Sequence, residues 1–264
     1  MHVSALNVYP VKSCAGIALQ QAEVGRRGIL YDREWMVVQA ATGLFLTQRE
    51  YPRMALIKTA LTDSALQLSM DGTEAVTVPF EHDGPRREVV VWRSTCDAID
   101  QGDAVAAWLS DTLDFPCRLV RMAPEHVRHI NPAFARRPDD QTGFADGYPF
   151  LLIGQASLDD LNSRLPAPLP MNRFRPNIVV EGSAPYAEDG WRRIQVSELG
   201  MDSAKPCVRC PIPTTDQETA MVGKEPLTTL ATYRRVPDGV IFGMNLIHDG
   251  PGELRVGDSV QVLA

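Results

Sequence analysis

The sequence predicts a mainly β protein with a few helices (α+β), organised as two tightly packed β-barrel-like domains. Three observations support this class. Short apolar–polar alternating runs, separated by turn residues, fill most of the first 115 positions. A polar segment rich in Pro, Arg and Asp interrupts them near position 124. Beyond it the β pattern returns, with only two further helical segments.

The first predicted domain, residues 1–120, has the pattern of successive hairpins. Its expected strands are VSALNVYPV, REWMVVQ, MALIKTAL, ALQLSM, AVTVPF and EVVVW. One amphipathic helix follows in GDAVAAWLSDTLDFP, where Asp103 is suited to cap the helix and Pro116 to end it. Its apolar face would hold Val105, Trp108, Leu109 and Leu113.

The second predicted domain, residues 121–264, opens with a long loop at 124–147 and then alternates strands with short helices. The strands expected are YPFLLIG, FRPNIVVEG, a hairpin in WRRIQVSELGMDSAK, GVIFGMNLIHDG and GELRVGDSVQVLA. Helices are predicted in ASLDDLNSRL, with Ser157 and Asp160 forming a capping box, and in EPLTTLATYR, starting at Pro226. A loop as long as 124–147 inside a compact protein is usually functional or disordered.

Composition narrows the functional class. The 264 residues carry a net charge of −7, which argues against a general nucleic-acid or anionic-membrane surface, so an anion site would have to be a local basic cluster. The N-terminus lacks the pattern of a signal peptide, and no run approaches the roughly 18 apolar residues of a membrane span. We therefore expect a cytoplasmic protein, with its five cysteines reduced.

Two of those cysteines, Cys207 and Cys210, lie in KPCVRCPIPTTD, whose prolines argue against a helix or a regular central strand. A dithiol redox motif needs a helix after it, which Pro211 and Pro213 disfavour. A structural zinc site needs two more ligands, and the sequence offers only the histidine pair 126/129. A single thiolate ligand for a soft, redox-active metal remains, as does a pair of buried cysteines without a role.

Basic residues beside Ser and Asn at strand ends are the second candidate feature. YPVKS places Lys12 and Ser13 after the first strand, YDREW places Arg33 before another, and NRFRPN places Arg175 and Asn177 before a third. Such residues suit a phosphate-bearing cofactor, although each alone is more often a solvated edge charge. No glycine-rich nucleotide motif is present.

Nine segments, taken in order, resemble one family. They are YPVKSCAG, YDREWMVV, FADGYPFLLI, SLDDLNSRL, NRFRPNIVV, YAEDGW, CVRCPIPTTD, KEPLTTLATYR and LRVGDSVQVL. The chain is similar throughout to MOSC-domain proteins that carry an N-terminal MOSC β-barrel domain. That branch includes the mitochondrial amidoxime-reducing component and bacterial reductases of N-hydroxylated bases.

The resemblance implies a molybdenum–pyranopterin cofactor between the two domains and a two-electron reduction of an N–O bond. Cys210 matches the metal ligand, and Asp146 matches an acidic residue near the metal that is a candidate proton relay or a positioning group. Cofactor contacts are implied for Lys12, Ser13, Arg33, Arg175 and Asn177, with Arg209 orienting the motif or meeting the phosphate, while Cys207 is expected to be a buried neighbour.

The chain departs from the pattern at Val208, where relatives usually have Ser. We also expect neither the ferredoxin-like domain of some bacterial relatives nor the membrane anchor of the mitochondrial ones, and no flavin, NAD or iron–sulfur site. Electrons would then come from a separate ferredoxin, flavodoxin or cytochrome-type protein. The alternatives are a sulfur carrier, a molybdenum-cofactor-binding module, or a binding module with a decayed site.

Overall fold

The computed structural model describes all residues from 1 to 264 and consists mainly of β-strands. Up to position 122 the strands are β1 (His2–Val8), β2 (Ile17–Leu19), β3 (Gln21–Gly25), β4 (Gly28–Ile29), β5 (Trp35–Gln39), β6 (Lys58–Leu61), β7 (Ala65–Ser69), β8 (Val76–Pro79), β9 (Arg86–Val91), β10 (Ser94–Asp100) and β11 (Cys117–Met122). Helix α1 (Asp103–Leu113) precedes β11.

After a long connection the strands resume at position 150. They are β12 (Phe150–Gly154), β13 (Ile178–Glu181), β14 (Arg193–Val196), β15 (Leu199–Val208), β16 (Arg235–Val236), β17 (Gly239–His248), β18 (Gly252–Arg255) and β19 (Val260–Val262). The helices here are α2 (Gln155–Ser163) and α3 (Leu227–Leu230), and single 3₁₀ turns cover Pro52–Leu56, Met171–Arg173, Ala187–Gly190 and Ile212–Thr214. The predicted mainly β fold class with few helices and the predicted loop at 124–147 are confirmed.

The largest sheet combines both ends of the chain. Its order is β19-β14-β15-β17-β12-β13-β1-β2, with β16 paired to β17. A bulge after Val3 shifts the alternation of β1, so that Val3, Leu6 and Val8 all point into the core. β18 likewise pairs with β3. The two predicted domains therefore share strands, and the division at residue 120 stays a prediction.

Strand β4 pairs with β3, and the strands from β5 to β11 form two smaller layers from the first half of the chain. One sheet has the order β5-β11-β10-β9 and another the order β6-β7-β8. Helix α1 buries Val105, Leu109 and Leu113 between these layers, while Trp108 is half-buried and donates Nε1 to the carbonyl of Glu74.

Four local predictions were wrong in detail, each for a physical reason. The run MALIKTAL is a strand only from Lys58, because its start continues the 3₁₀ turn that begins at Pro52. Asp103 is the first residue of α1 rather than its cap, which is Gly102, and the helix ends before Pro116, at Asp114 in a left-handed conformation. Ser157 lies inside α2, where its hydroxyl donates to buried Glu188 instead of capping.

The fourth difference concerns KPCVRCPIPTTD. Lys205 to Val208 belong to β15, which lies between β14 and β17 in the large sheet. The pairing with β17 shifts register after Ser203 and again after Pro206, so this end of the strand is irregular. The proline-rich part beyond it then turns through Ile212–Thr214. A bulged strand therefore carries Cys207 to the point where the chain leaves the sheet at Cys210.

Candidate functional site

Five chain segments meet beside one end of the large sheet and enclose a cavity of about 280 Å³. They follow β1, precede β5, β12 and β13, and follow β15. The cavity is lined by every residue that the sequence singled out: Lys12, Ser13, Arg33, Asp146, Arg175, Asn177, Arg209 and Cys210. The structure therefore brings these residues together, while the role of each remains a prediction.

Charge is distributed unevenly around the cavity. Five cationic side chains line it, from Lys12, Arg33, Arg175, Lys205 and Arg209, against the single carboxylate of Asp146. Lys12 pairs with Asp146, and Arg33 pairs with Asp32 behind the wall. Arg175, Arg209 and Lys205 have no carboxylate partner, which leaves the cavity with a local positive charge inside an acidic protein.

Lys12 and Asp146 form the ion pair at the cavity. Buried Lys12 donates Nζ to Asp146 Oδ1 at 2.5 Å and to the carbonyl of Phe144 at 2.8 Å. Surrounding protein would raise the pKa of Asp146, but the charge and hydrogen bond of Lys12, together with the indole of Trp92, outweigh this and hold that pKa well below its usual range. Burial lowers the pKa of Lys12, which Asp146 opposes. Asp146 is therefore ionised at neutral pH.

Arg33 is held by a network that runs behind the cavity wall. Its Nη1 donates to both oxygens of Asp32, at 2.8 and 2.6 Å, and to Asn177 Oδ1 at 3.1 Å. Asn177 Oδ1 also accepts from the amide of Leu151, and its Nδ2 donates to the carbonyl of Asn7. The amide of Asn177 is thus occupied by protein partners, so its observed contacts position Arg33.

Arg175 is buried with an incomplete set of partners. Its guanidinium lies 4.3 Å from the ring centroid of Tyr9, which the guanidinium of Arg33 also approaches to 4.2 Å. Nη1 makes one long contact, 3.5 Å to Gln217 Oε1, and Nη2 has no hydrogen-bond partner. Burial lowers the pKa of Arg175 to about 10. A buried, charged donor without a partner is costly, and an anion in the cavity would satisfy it.

Three of the cavity residues hold a left-handed backbone. Ser13, Arg33 and Arg175 have φ of 68°, 48° and 58°. Non-glycine residues rarely adopt this conformation, and such strain concentrates at ligand-binding sites. Ser13 and Arg33 lie in turns and Arg175 directly follows one, so all three are in irregular segments between strands, and all three line the cavity.

The two cysteines of the bulged strand have different surroundings. Arg209 donates Nη1 to Cys207 Sγ at 3.1 Å and Nη2 to the carbonyl of Phe174 at 2.8 Å. Cys210 makes no such contact, and both thiols are partly exposed rather than buried. Val208 lines the cavity with 36% of its surface exposed. The expected burial of Cys207 is therefore wrong, and the free thiol at the cavity is Cys210.

The loop that carries Asp146 is fixed by two residues that sequence reasoning missed. Buried Arg128 donates Nη1 to the carbonyls of Gly143 at 2.7 Å and Ala145 at 2.5 Å. Gly143 allows the backbone of this loop to approach the backbone of Arg33, since a Cβ at position 143 would lie 2.8 Å from the carbonyl oxygen of Arg33. Nothing in the sequence distinguishes Arg128 from the other arginines of this polar segment, because its partners are backbone atoms.

Other candidate features do not form sites. No group of three or more His, Cys, Asp or Glu side chains is arranged to hold a metal ion, and the ring of His126 instead accepts from the amide of Asp97. The zinc interpretation of the histidine pair therefore has no geometric support. None of the helices combines the length and the apolar character that crossing a membrane requires.

Comparison with known proteins agrees with the resemblance noted in the sequence. Residues 1–116 match the family described as the MOSC N-terminal beta barrel domain, and residues 139–261 match the MOSC domain. The chain is 35% identical over 286 residues to mitochondrial amidoxime-reducing component 1 of Mus musculus, which covers 99% of this chain and 82% of that protein.

A second group of relatives is much longer than this chain. The chain is 32% identical over 271 residues to the molybdenum cofactor sulfurase of Arabidopsis thaliana, covering 94% of this chain and 33% of that protein. Among solved structures, the YUAD protein from Bacillus subtilis aligns with a TM-score of 0.41 at 11% identity, over 98% of this chain and 93% of that one.

Proposed function

The chain belongs to the MOSC family, in the branch with an N-terminal MOSC β-barrel domain, and from this premise we propose that it is a molybdenum-cofactor-dependent oxidoreductase. Its proposed reaction is the two-electron reduction of N-hydroxylated compounds of the hydroxylaminopurine, amidoxime or hydroxylamine type. One observation carries the proposal: a partner-free thiol, Cys210, shares a cavity with an excess of cationic groups, of which Lys12 and Arg175 are buried.

The chemistry of the donor set fits this cofactor. A pyranopterin phosphate needs charged and neutral donors, and Arg175 Nη2 and Arg209 Nε are both buried without a partner. We propose that Arg175, Arg209 and Lys12 hold the phosphate and pterin, with Ser13 and the Arg33–Asn177 pair completing the cradle. Cys210 would supply the single thiolate ligand that a soft metal prefers.

When bound, the cofactor supplies the two-electron redox chemistry. The chain supplies position and protons. Because Asp146 is ionised, it is able to accept a proton or a hydrogen bond but has none of its own to donate. Any proton that the pair releases must come from Lys12, whose ammonium group is held at 2.5 Å by Asp146. We therefore assign the proton relay to the pair rather than to Asp146 alone.

The remaining parts of the proposal concern partners and location. No flavin, nicotinamide or iron–sulfur site is proposed for this chain, so we propose a separate electron donor of the ferredoxin, flavodoxin or cytochrome type. We also propose a cytoplasmic location, although one group of relatives carries the word mitochondrial in its name. Neither nucleic acid nor a membrane is part of the proposal.

A second candidate, a sulfur carrier or cofactor-binding module, is favoured by one observation. Molybdenum cofactor sulfurases match 94% of this chain with about a third of their own length. Arg209 Nη1 contacts Cys207 Sγ at 3.1 Å, so a sulfur atom carried on Cys207 would lie next to a guanidinium. In that case Cys207, and not Cys210, would carry the sulfur.

The molybdenum content of the purified protein separates these functions. Wild type, Cys210→Ser and Cys207→Ser would be produced in a host that makes the cofactor, and molybdenum per chain would be measured. We expect near-stoichiometric metal in wild type, retention in Cys207→Ser and loss in Cys210→Ser. Wild type without molybdenum would refute the reductase, and a persulfide on Cys207 in that same protein would establish the carrier.

A further inference from the structure

The hairpin that joins β9 to β10 has an unusual residue at its tip. The turn consists of Trp92 and Arg93, and Trp92 has φ of 55°. Two-residue turns of hairpins favour Asn or Gly at positions with positive φ, because a Cβ is strained there. A bulky side chain in this conformation is an outlier, and such outliers concentrate at functional positions.

Burial does not explain Trp92 either. Among all tryptophans, phenylalanines and tyrosines of the chain it is the only exposed one, with 41% of its surface accessible. An aromatic ring that gained stability from the core would be enclosed by it. Trp92 is therefore strained in its backbone and exposed in its side chain.

The ring is nevertheless held in a fixed orientation beside Asp146. Its Nε1 donates to Asp146 Oδ1 at 3.0 Å, and the guanidinium of Arg49 lies 4.4 Å from its ring centroid. The ring of Phe45 adds a tilted contact at 5.1 Å between centroids. Lys12 Nζ lies 6.0 Å from the same ring centroid. Trp92 does not itself line the cavity, but its bond to Asp146, which does, places the indole at the cavity rim with part of its surface exposed.

Asp146 keeps one oxygen free beside that ring. Lys12 Nζ and Trp92 Nε1 both donate to Oδ1, and no group of the protein donates to Oδ2. A partly exposed indole and an unoccupied carboxylate oxygen therefore lie side by side. Aromatic walls favour planar rings, and a carboxylate favours N–H donors, above all those of a cationic group.

We infer that Trp92 is a specificity-determining residue: its indole supports the planar ring of an aromatic N-hydroxylated substrate while Oδ2 of Asp146 accepts hydrogen bonds from N–H groups of that substrate. This inference rests on the proposed function, because it assigns the substrate to the same cavity. It predicts a preference for aromatic over small aliphatic members of one chemical class.

Benzamidoxime and acetamidoxime form a matched pair of substrates, since they differ only in a phenyl ring or a methyl group. The cofactor-loaded protein would be assayed with a chemical reductant, so that no donor protein is needed. We expect Trp92→Ala to raise KM for benzamidoxime about tenfold, as loss of a stacking partner does. KM for acetamidoxime should change less than about twofold, because a methyl group gains little from stacking.

Two further variants separate the ring from its surroundings. Trp92→Phe keeps an aromatic surface but loses the bond to Asp146, and KM for benzamidoxime should stay within about threefold of wild type. Arg93→Ala alters the other, exposed residue of the same turn and should leave both substrates unchanged. An equal effect of Trp92→Ala on the two amidoximes overturns the inference.

A binding measurement keeps the inference independent of turnover. Benzamidine and acetamidine, the corresponding products, would be titrated calorimetrically into the loaded wild type, Trp92→Ala and Arg93→Ala. We expect Trp92→Ala to weaken the binding of benzamidine selectively, by about tenfold. If wild type reduces neither amidoxime, the proposed function fails and calorimetry alone decides the inference. Absence of benzamidine binding to wild type overturns it.

A third substitution at position 92 serves as the control for a folding defect. Trp92→Asn places a residue that tolerates positive φ in the turn and also removes the ring. If Trp92→Ala fails to fold, Trp92→Asn replaces it in both measurements. The same selective loss of benzamidoxime and benzamidine is expected, and its absence in the folded variant overturns the inference.

Discussion

Lys12 and Asp146, 134 positions apart in the sequence, meet with 2.5 Å between Nζ and Oδ1. The lysine side chain is buried, whereas 61% of the aspartate side chain is exposed to the cavity. One partner is therefore costly to leave unpaired, and the other remains accessible to a ligand. This asymmetry fixes what each substitution should do.

Removing the carboxylate of Asp146 should destabilise the protein through Lys12. Asp146→Asn can still accept a hydrogen bond from Lys12 but removes the negative charge that pairs with this buried ammonium group, and we expect a loss of about 1–2 kcal/mol in the free energy of unfolding. The lower end reflects the solvent around Asp146. Urea unfolding measures this loss, and Asp139→Asn, in the same loop but exposed and unpaired, is the charge-matched control.

Removing the charge of Arg175 should have the opposite effect on stability. Arg175→Met removes a buried charge whose Nη2 lacks a partner, so the cofactor-free protein should gain about 1 kcal/mol. The same variant should retain far less molybdenum when the cofactor is available. Arg173→Met is the matched control, since Arg173 pairs with Asp216 and donates to the carbonyl of Pro213. That control should lose about 2–4 kcal/mol, and a comparable loss in Arg175→Met would contradict the prediction.

Acid should unfold the protein in part through Asp100. Burial would raise the pKa of Asp100, but hydrogen bonds from Arg118, the amide of Gly102 and Arg87 lower it below the ordinary 3.8. A carboxylate whose pKa is lower in the folded than in the unfolded protein stabilises the fold. This contribution is complete above about pH 4 and is lost as pH falls through the pKa of the folded state. Asp100→Asn should therefore destabilise the protein at pH 7 and flatten the stability profile below pH 4.

Thermal unfolding between pH 2 and pH 7 tests this dependence. Asp103→Asn provides the control, because Asp103 binds the same Arg118 but its side chain is 96% exposed. It should shift the profile by less than about 0.5 kcal/mol. A profile of Asp100→Asn parallel to that of wild type below pH 4 would show that other groups dominate acid unfolding.

Ser157 should matter more than its position in a short helix suggests. Its hydroxyl donates to Glu188, which is fully buried, and accepts from the amide of Tyr186 at 2.7 Å. Ser157→Ala leaves both groups short of a partner, and we expect a loss of about 1–3 kcal/mol. Ser163→Ala, on the exposed side of α2, should cost less than about 0.5 kcal/mol by the same urea measurement.

Sequence patterns identified the strands and the residues of the cavity, but not the contacts that hold them. Lys12, Arg33 and Arg175 stood out as basic residues beside strand ends, but only the family resemblance joined them into one site. The partner of β1 was not predictable, since alternation shows which face is buried but not that β13 lies alongside. Helix capping by Ser157 was predicted wrongly because a distant carboxylate outcompetes the helix end for its hydroxyl.

Trp92 and Arg128 show a second limit. Turn chemistry predicts Asn or Gly at the tip of a hairpin, so a tryptophan there is visible as an anomaly only once its φ is known. Arg128 acts through backbone carbonyls, which carry no residue identity. Both belong to the class of residues whose importance arises from geometry rather than from type.

The pairing of β1 with β13 has a consequence for synthesis on the ribosome. The chain emerges from its N-terminus, so β1 can pair early with β2, but its other edge waits for β13 until residues 178–181 have been made. The bridge from His2 waits for Ser259. The cavity likewise stays open until Cys210 emerges. Contacts of such long sequence separation form slowly. The nascent chain must therefore remain soluble with one edge of its first strand unpaired, and the proposed cofactor could be loaded only after translation.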